Sequence, residues 1–164
     1  MIHLLLFIPV ALFALLEATW LADFQVFGAR PDFVLIVLTW VASQTGTQRG
    51  QVTGFITGLI EDALSISPPG FHALVRLGHG GITGLTRGAM SGDALLTPLL
   101  LTLLALVVRW SLALLLAGLF SLDAVLARLV SSHALIHGAI TLVIAPVFFL
   151  VLERIYGDIS RKVR

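Results

Sequence analysis

Residues 46–62 read GTQRGQVTGFITGLIED, with Gly46, Gly50, Gly54 and Gly58 at every fourth position and Asp62 next in the same count. An interval of four returns to one face of a helix. Small residues at that interval let two helix backbones approach closely, which favours association in lipid, where apolar burial gives no advantage. The run cannot all be one ladder, because the apolar segment before it must turn back first. The only polar place for that turn is SQTGTQRG. The sequence therefore assigns Gly46 and Gly50 to a turn anchored by Arg49, and Gly54 and Gly58 to a helix. Asp62 follows one helical turn later.

The surroundings of this run set the solvent. The chain has 164 residues, 58% hydrophobic and 12% charged, with mean hydropathy +1.04. Soluble domains are nearer about half apolar and about a quarter charged. A soluble core cannot absorb this excess of Leu, Val, Ile and Phe, so lipid is the solvent for most of the chain. Cysteine is absent, which excludes a disulfide framework, thiolate chemistry and Cys-ligated metal. The opening MIHLLLFIPVALFALLEATW lacks a basic n-region and a convincing cleavage site. It reads as a retained first span and not as a signal peptide.

These features predict an all-α integral membrane protein, a bundle of six transmembrane helices in a single polytopic domain covering residues 1–164. The spans fall at about 2–22, 31–46, 51–66, 71–90, 95–120 and 133–153, followed by a basic tail at 154–164. Pro31–Asp32 opens the second span, since proline suits a first helical turn. SPPG at 67–70 ends the third, because two prolines and a glycine cannot continue a helix. SLDAVLARLVSS at 121–132 is a polar-dotted connector, read as a short interfacial helix. Pro146 is expected to kink the sixth span. Arg49, Arg87, Arg154, Arg161, Lys162 and Arg164 fall on one side of this arrangement, Arg30 and Arg128 on the other. The positive-inside rule then places both termini in the cytoplasm.

With that orientation, ionisable groups from five spans share the outer half of the bilayer. The candidate cluster comprises Glu17, Asp62, His72 and Arg76, with Arg109, His133 and His137. Charges in a bilayer pair, face the bundle interior or line a wet cavity. Glu17 and Asp62 are the expected partners of Arg76 and Arg109. Two readings stand: buried ion pairs that fix helix register, or an outward-opening polar cavity for a ligand or a partner's polar segment.

His133 and His137 lie four apart on one helix face, yet no HExxH, carboxylate triad or cysteine accompanies them, so no metal site or cofactor is assigned. Gly80, Gly84 and Gly88 continue the interval set by His72 and Arg76. With Gly54 and Gly58 they form the candidate packing or partner interface, and the crowding of Gly78, Gly80 and Gly81 around His79 suggests a broken helix. No GxSxG, P-loop or dinucleotide fingerprint occurs, and no nucleic-acid patch exists beyond the tail.

PDFVLIVLTWVASQTG, the glycine run through GFITGLIEDAL, and PPGFHAL resemble the MreD family, the rod shape-determining protein D of bacteria, best across residues 31–75. The resemblance implies a non-enzymatic scaffold of the inner membrane in the cell-elongation, peptidoglycan-synthesis complex. Its implied partners are MreC, a bitopic membrane protein, and through it MreB, a RodA-type glycosyltransferase and a class B penicillin-binding protein. The family is similar in span number and glycine-rich character to the S-components of energy-coupling-factor transporters. That implies an S-component-like bundle and an alternative function, binding of a vitamin or metabolite in an outward-facing polar cavity.

Overall fold

The computed structural model describes residues 8, 10, 12, 13, 15, 16, 30–88, 93 and 95–157, and the backbone of 158–161. Six α-helices are delimited among them: α1 Phe33–Thr45, α2 Thr47–Leu64, α3 Phe71–Thr83, α4 Leu96–Leu119, α5 Asp123–Leu129 and α6 Ser132–Arg161. A 3-10 turn, Gly84–Thr86, continues α3. The six residues described between 8 and 16 are also helical. No strand occurs among the described residues.

All thirteen residues of α1 are buried. A helix apolar on every side belongs inside a bundle, and α1 is the post around which the others pack. Trp40, Leu35, Ile36 and Leu38 are fully enclosed. Phe33 stacks with Phe148 of α6 at 4.9 Å between ring centroids, and Phe13 meets both rings. The three hydroxyl groups of α1 are satisfied locally. Thr39 and Thr45 donate their hydroxyls to the carbonyls of Leu35 and Val41, and Ser43 donates to that of Trp40. Such back-bonding removes the cost of burying a hydroxyl away from water.

One residue joins α1 to α2. Gly46 has φ +90° and serves as cap of both helices; a side chain is strained in that region of backbone space. The expected turn over Gly46 and Gly50 is therefore corrected. Gly46 alone reverses the chain, α2 starts at Thr47, and Gly50 is helical and buried.

Gly50, Gly54 and Gly58 all face α3, which runs antiparallel to α2. A Cβ on Gly50 would fall on the carbonyl oxygen of Gly80, one on Gly54 on that of Arg76, and one on Gly58 on the backbone of His72 and Ala73. Gly80 meets Gly50 in return, and a Cβ on Gly84 would sit 2.6 Å from the Cα of Thr47. The helices touch backbone to backbone, with no side chain between them. Gly88 does not continue the row: it follows the 3-10 turn, has φ +93°, and nothing lies within 4 Å of its Cβ position. The expected break at His79 is also absent, since α3 is continuous through Thr83.

The fourth sequence span, drawn to residue 90, is thus a helix of 13 residues plus a 3-10 turn. The tail departs in the other direction, as α6 continues helical to Arg161. The connector at 121–132 does contain a short helix, α5. Asp93 precedes α4 and accepts hydrogen bonds from the amides of Leu95 (2.8 Å) and Leu96 (3.2 Å), which hold its carboxyl below the usual carboxylate range.

Among the described residues, two helices are long and apolar enough to cross a membrane, α4 and the Ser132–Gly157 portion of α6. Each presents an exposed apolar row: Leu100, Leu103, Leu104 and Val107 on α4, and Val143, Val147, Leu150 and Val151 on α6. Rows at this spacing form one helical face, and hydrocarbon is a suitable solvent for it.

The backbone contact gives a direct test. Gly54→Ala forces a methyl group onto the Arg76 carbonyl and should cost about 1–3 kcal/mol or more. Gly118→Ala, in open space on α4, should be neutral or stabilise by up to about 1 kcal/mol. Thermal unfolding of the detergent-solubilised variants distinguishes the two, and equal melting temperatures would contradict the packing.

Candidate functional site

Four charged side chains meet where the N-terminal ends of α1 and α3 approach the C-terminal end of α2. Asp32 caps α1 by accepting from the amide of Leu35 at 2.7 Å. Glu61 sits one turn from the end of α2. Arg76, one turn into α3, reaches both. Its Nε lies 3.1 Å from each Glu61 oxygen, and its Nη2 is 2.7 Å from Glu61 Oε1 and 3.1 Å from Asp32 Oδ1. Arg109 of α4 completes the chain with Nη1 2.6 Å from Asp32 Oδ2.

The order is Glu61–Arg76–Asp32–Arg109, two carboxylates and two guanidinium groups from four helices. The Arg76 side chain is only 3% exposed and that of Arg109 30%. Such charges persist in apolar surroundings only when paired and hydrogen-bonded. Arg76 suits the task because its planar fork engages two carboxylates at once.

Around this chain lie groups that hold the helix ends. Asp62 accepts three amide hydrogen bonds, from Gly70 and His72 at 2.9 Å and from Ala73 at 3.1 Å. It therefore satisfies the free amides at the start of α3, which a helix leaves unpaired. His72 places Nε2 3.1 Å from the Ser67 hydroxyl, and its Nδ1 lies 3.6 Å from Glu61. Deeper in the bundle, the buried His79 meets the Thr39 hydroxyl at 2.9 Å.

The expected pairing is corrected on this point. Arg76 and Arg109 bind Glu61 and Asp32, and Asp62 serves as a cap. Glu17 lies outside the described residues. Asp32 and Glu61 are the residues that the sequence cluster missed. The signal for Asp32 was its position directly before an apolar helical run, where a carboxylate caps the helix.

His133 and His137 stand apart from the ion pairs, on the first turns of α6. His137 Nδ1 lies 3.0 Å from the Arg30 amide nitrogen. One turn on, the Thr141 hydroxyl accepts from the Asp32 amide at 3.0 Å. These contacts tie the segment before α1 to α6. They also form one wall of a cavity of about 650 Å³ between α4, α5 and α6. Arg30, Arg109, Arg128, His133 and His137 line its polar side, and Leu106, Trp110 and Gly138 its apolar side. No group of three or more His, Asp or Glu suited to a metal ion occurs among the described residues.

The chain of charges is testable by a double variant. Arg76→Met leaves Glu61 and part of the Asp32 carboxylate uncompensated and should cost about 3–5 kcal/mol. Glu61→Met with Arg76→Met retains the Asp32–Arg109 pair and should recover much of that loss. Thermal unfolding followed by tryptophan fluorescence measures both; a double variant less stable than Arg76→Met alone would contradict the pairing.

Neither a curated protein nor a solved structure matches the chain. The family model described as rod shape-determining protein MreD matches residues 1–155. That match spans every helix described here except the last turns of α6, so the chain belongs to the MreD family of membrane proteins that act in rod-shape determination.

Proposed function

We propose that the protein is a non-enzymatic, multi-pass scaffold of the bacterial inner membrane that binds MreC by helix packing. Through MreC it would join MreB, a RodA-type glycosyltransferase and a class B penicillin-binding protein in the elongation complex. The bundle would contribute six spans with both termini cytoplasmic. The orientation is supported by the grouping of cations. Arg49 and Arg87 lie near the Gly46 turn, and Arg154 neighbours Tyr156, which packs on Trp40 in the same half of α1. Arg30 and Arg128 lie at the opposite end, at the cavity. An excess of Arg at one end favours that end in the cytoplasm.

The family match over residues 1–155 carries the scaffold reading. The partner's seat needs a revision from the sequence expectation. Gly54, Gly58, Gly80 and Gly84 are consumed by the contact between α2 and α3, so they cannot also receive a helix from outside. The other side of α2 is the better surface. Val52, Phe55, Ile56 and Leu59 are exposed there. Gln48, Arg49 and Gln51 are exposed on the same helix, so α2 is poorly suited to lipid along its whole length. A partner span would cover the apolar row and leave the polar first turn at the membrane surface.

Val52→Trp with Ile56→Trp adds bulk to that face without adding charge. Recovery of MreC with the full chain from native membranes should fall about tenfold or more. Leu104→Trp with Val107→Trp, on the lipid-suited row of α4, should leave it unchanged. Normal MreC recovery with the α2 variant refutes this seat. Failure of the unaltered chain to recover any MreC refutes the scaffold reading itself.

A further inference from the structure

The cavity between α4, α5 and α6 is not explained by packing. Its apolar walls come from the middle of α4 and the start of α6, where a Cβ on Gly138 would lie 3.2 Å from the Trp110 ring. Its rim carries Arg30, from the segment before α1, and Arg128, from α5. Both are exposed. Neither has a carboxylate within ion-pair distance among the described residues. Among the described residues Asp32 is the one acid in the lining, and Arg76 and Arg109 already engage it. The cavity therefore has a surplus of positive charge at its mouth and hydrocarbon behind.

That arrangement selects a class of ligand. A surplus of guanidinium groups favours a tetrahedral or planar oxyanion, since each Arg can present two parallel N–H donors. His133 and His137 add ring nitrogens on the same wall. The apolar side favours a ligand with a hydrocarbon part next to its anionic group. At about 650 Å³ the space is of the size that holds a small ligand or a lipid headgroup with the start of its chains. Arg128 lies on the short α5, between the two helices long enough to span the membrane. A charged headgroup would thus sit at the interface while its chains follow α4 and α6.

We infer that this cavity binds an amphiphile with a phosphate head group of net negative charge, with Arg30 and Arg128 engaging the phosphate and no cationic group of the ligand to oppose them. The inference is independent of MreC binding, because the α2 face proposed for MreC is made of other residues.

Native mass spectrometry of the full chain, extracted in mild detergent and titrated with phosphatidylglycerol or phosphatidylcholine, tests it. Phosphatidylglycerol should bind with a preference that falls by roughly tenfold in the Arg30→Gln, Arg128→Gln double variant. The Arg49→Gln, Arg154→Gln variant removes the same charge from the other end and should retain that preference. Inorganic phosphate is added as competitor. Displacement of the lipid by phosphate would support the site with the phosphate group as the element recognised. Undisturbed lipid binding would support it with the membrane lipid as the source.

Equal retention of the two lipids, or equal loss in the two arginine variants, would overturn the inference. So would a soluble non-phosphorylated metabolite held in the cavity in place of lipid, the result expected of a solute-binding S-component. A melting temperature within experimental error of the unaltered chain in both arginine variants ensures that the readout is binding and not folding.

Discussion

The Arg76 guanidinium is the point on which the bundle depends. It is almost wholly buried and bridges carboxylates from two other helices. A cation in that place is tolerable only because Glu61 and Asp32 are already there, and each acid is tolerable only because of the cation. Arg109 extends the same logic to α4. Four helices are thereby fixed at one depth and one rotation. A slide of one turn would move a charge by about 5.4 Å and leave it unpaired. Apolar contacts alone would not forbid such a slide, because one lipid-facing leucine row resembles the next.

The glycine row makes that ion chain possible. Glu61 and Arg76 lie on neighbouring helices, and three glycines bring those helices into backbone contact. Asp62 closes the same hairpin at its end by taking up the first amides of α3. Two adjacent acids thus do different work. They differ by about 100° around the helix axis, so one points along the α2–α3 seam to the helix end and the other toward Arg76. Polar residues elsewhere in the interior are quieter, since Thr39, Thr57, Thr83 and Thr141 each return a hydroxyl to a carbonyl one turn back.

Much of this was legible in the sequence, and what was missed has a physical reason. Helical class and lipid as solvent followed from composition. The close α2–α3 hairpin followed from glycine spacing and the SPPG stop. Composition makes the turn too wide, because a polar stretch suggests a loop, whereas a glycine at φ +90° reverses the chain in one residue. That freed Gly50 to join the row. Gly88 fits the row by spacing and not in space, because spacing counts residues and not helix ends, and the helix stops before it. Arg76 and Arg109 were identified by charge and depth. Their partners were misassigned because depth does not report azimuth, and azimuth separates Glu61 from Asp62. Asp32 was read only as a helix opener, although a cap residue has a second oxygen free for a cation.

The charge balance also separates structure from surplus. Two acids and two arginines account for the buried chain, with no net charge left over. Arg30 and Arg128 lie outside this balance. Their side chains are exposed, make no ion pair among the described residues, and add nothing to helix register. In the orientation proposed above they also oppose the bias that orients the chain, since arginine on the minority side weakens the positive-inside signal. Charged side chains that neither brace the bundle nor help to orient it are the ones whose position needs a separate cause. Both stand over the same cavity, beside two histidines and above an apolar wall, and an anion there would supply the charge that the chain itself does not.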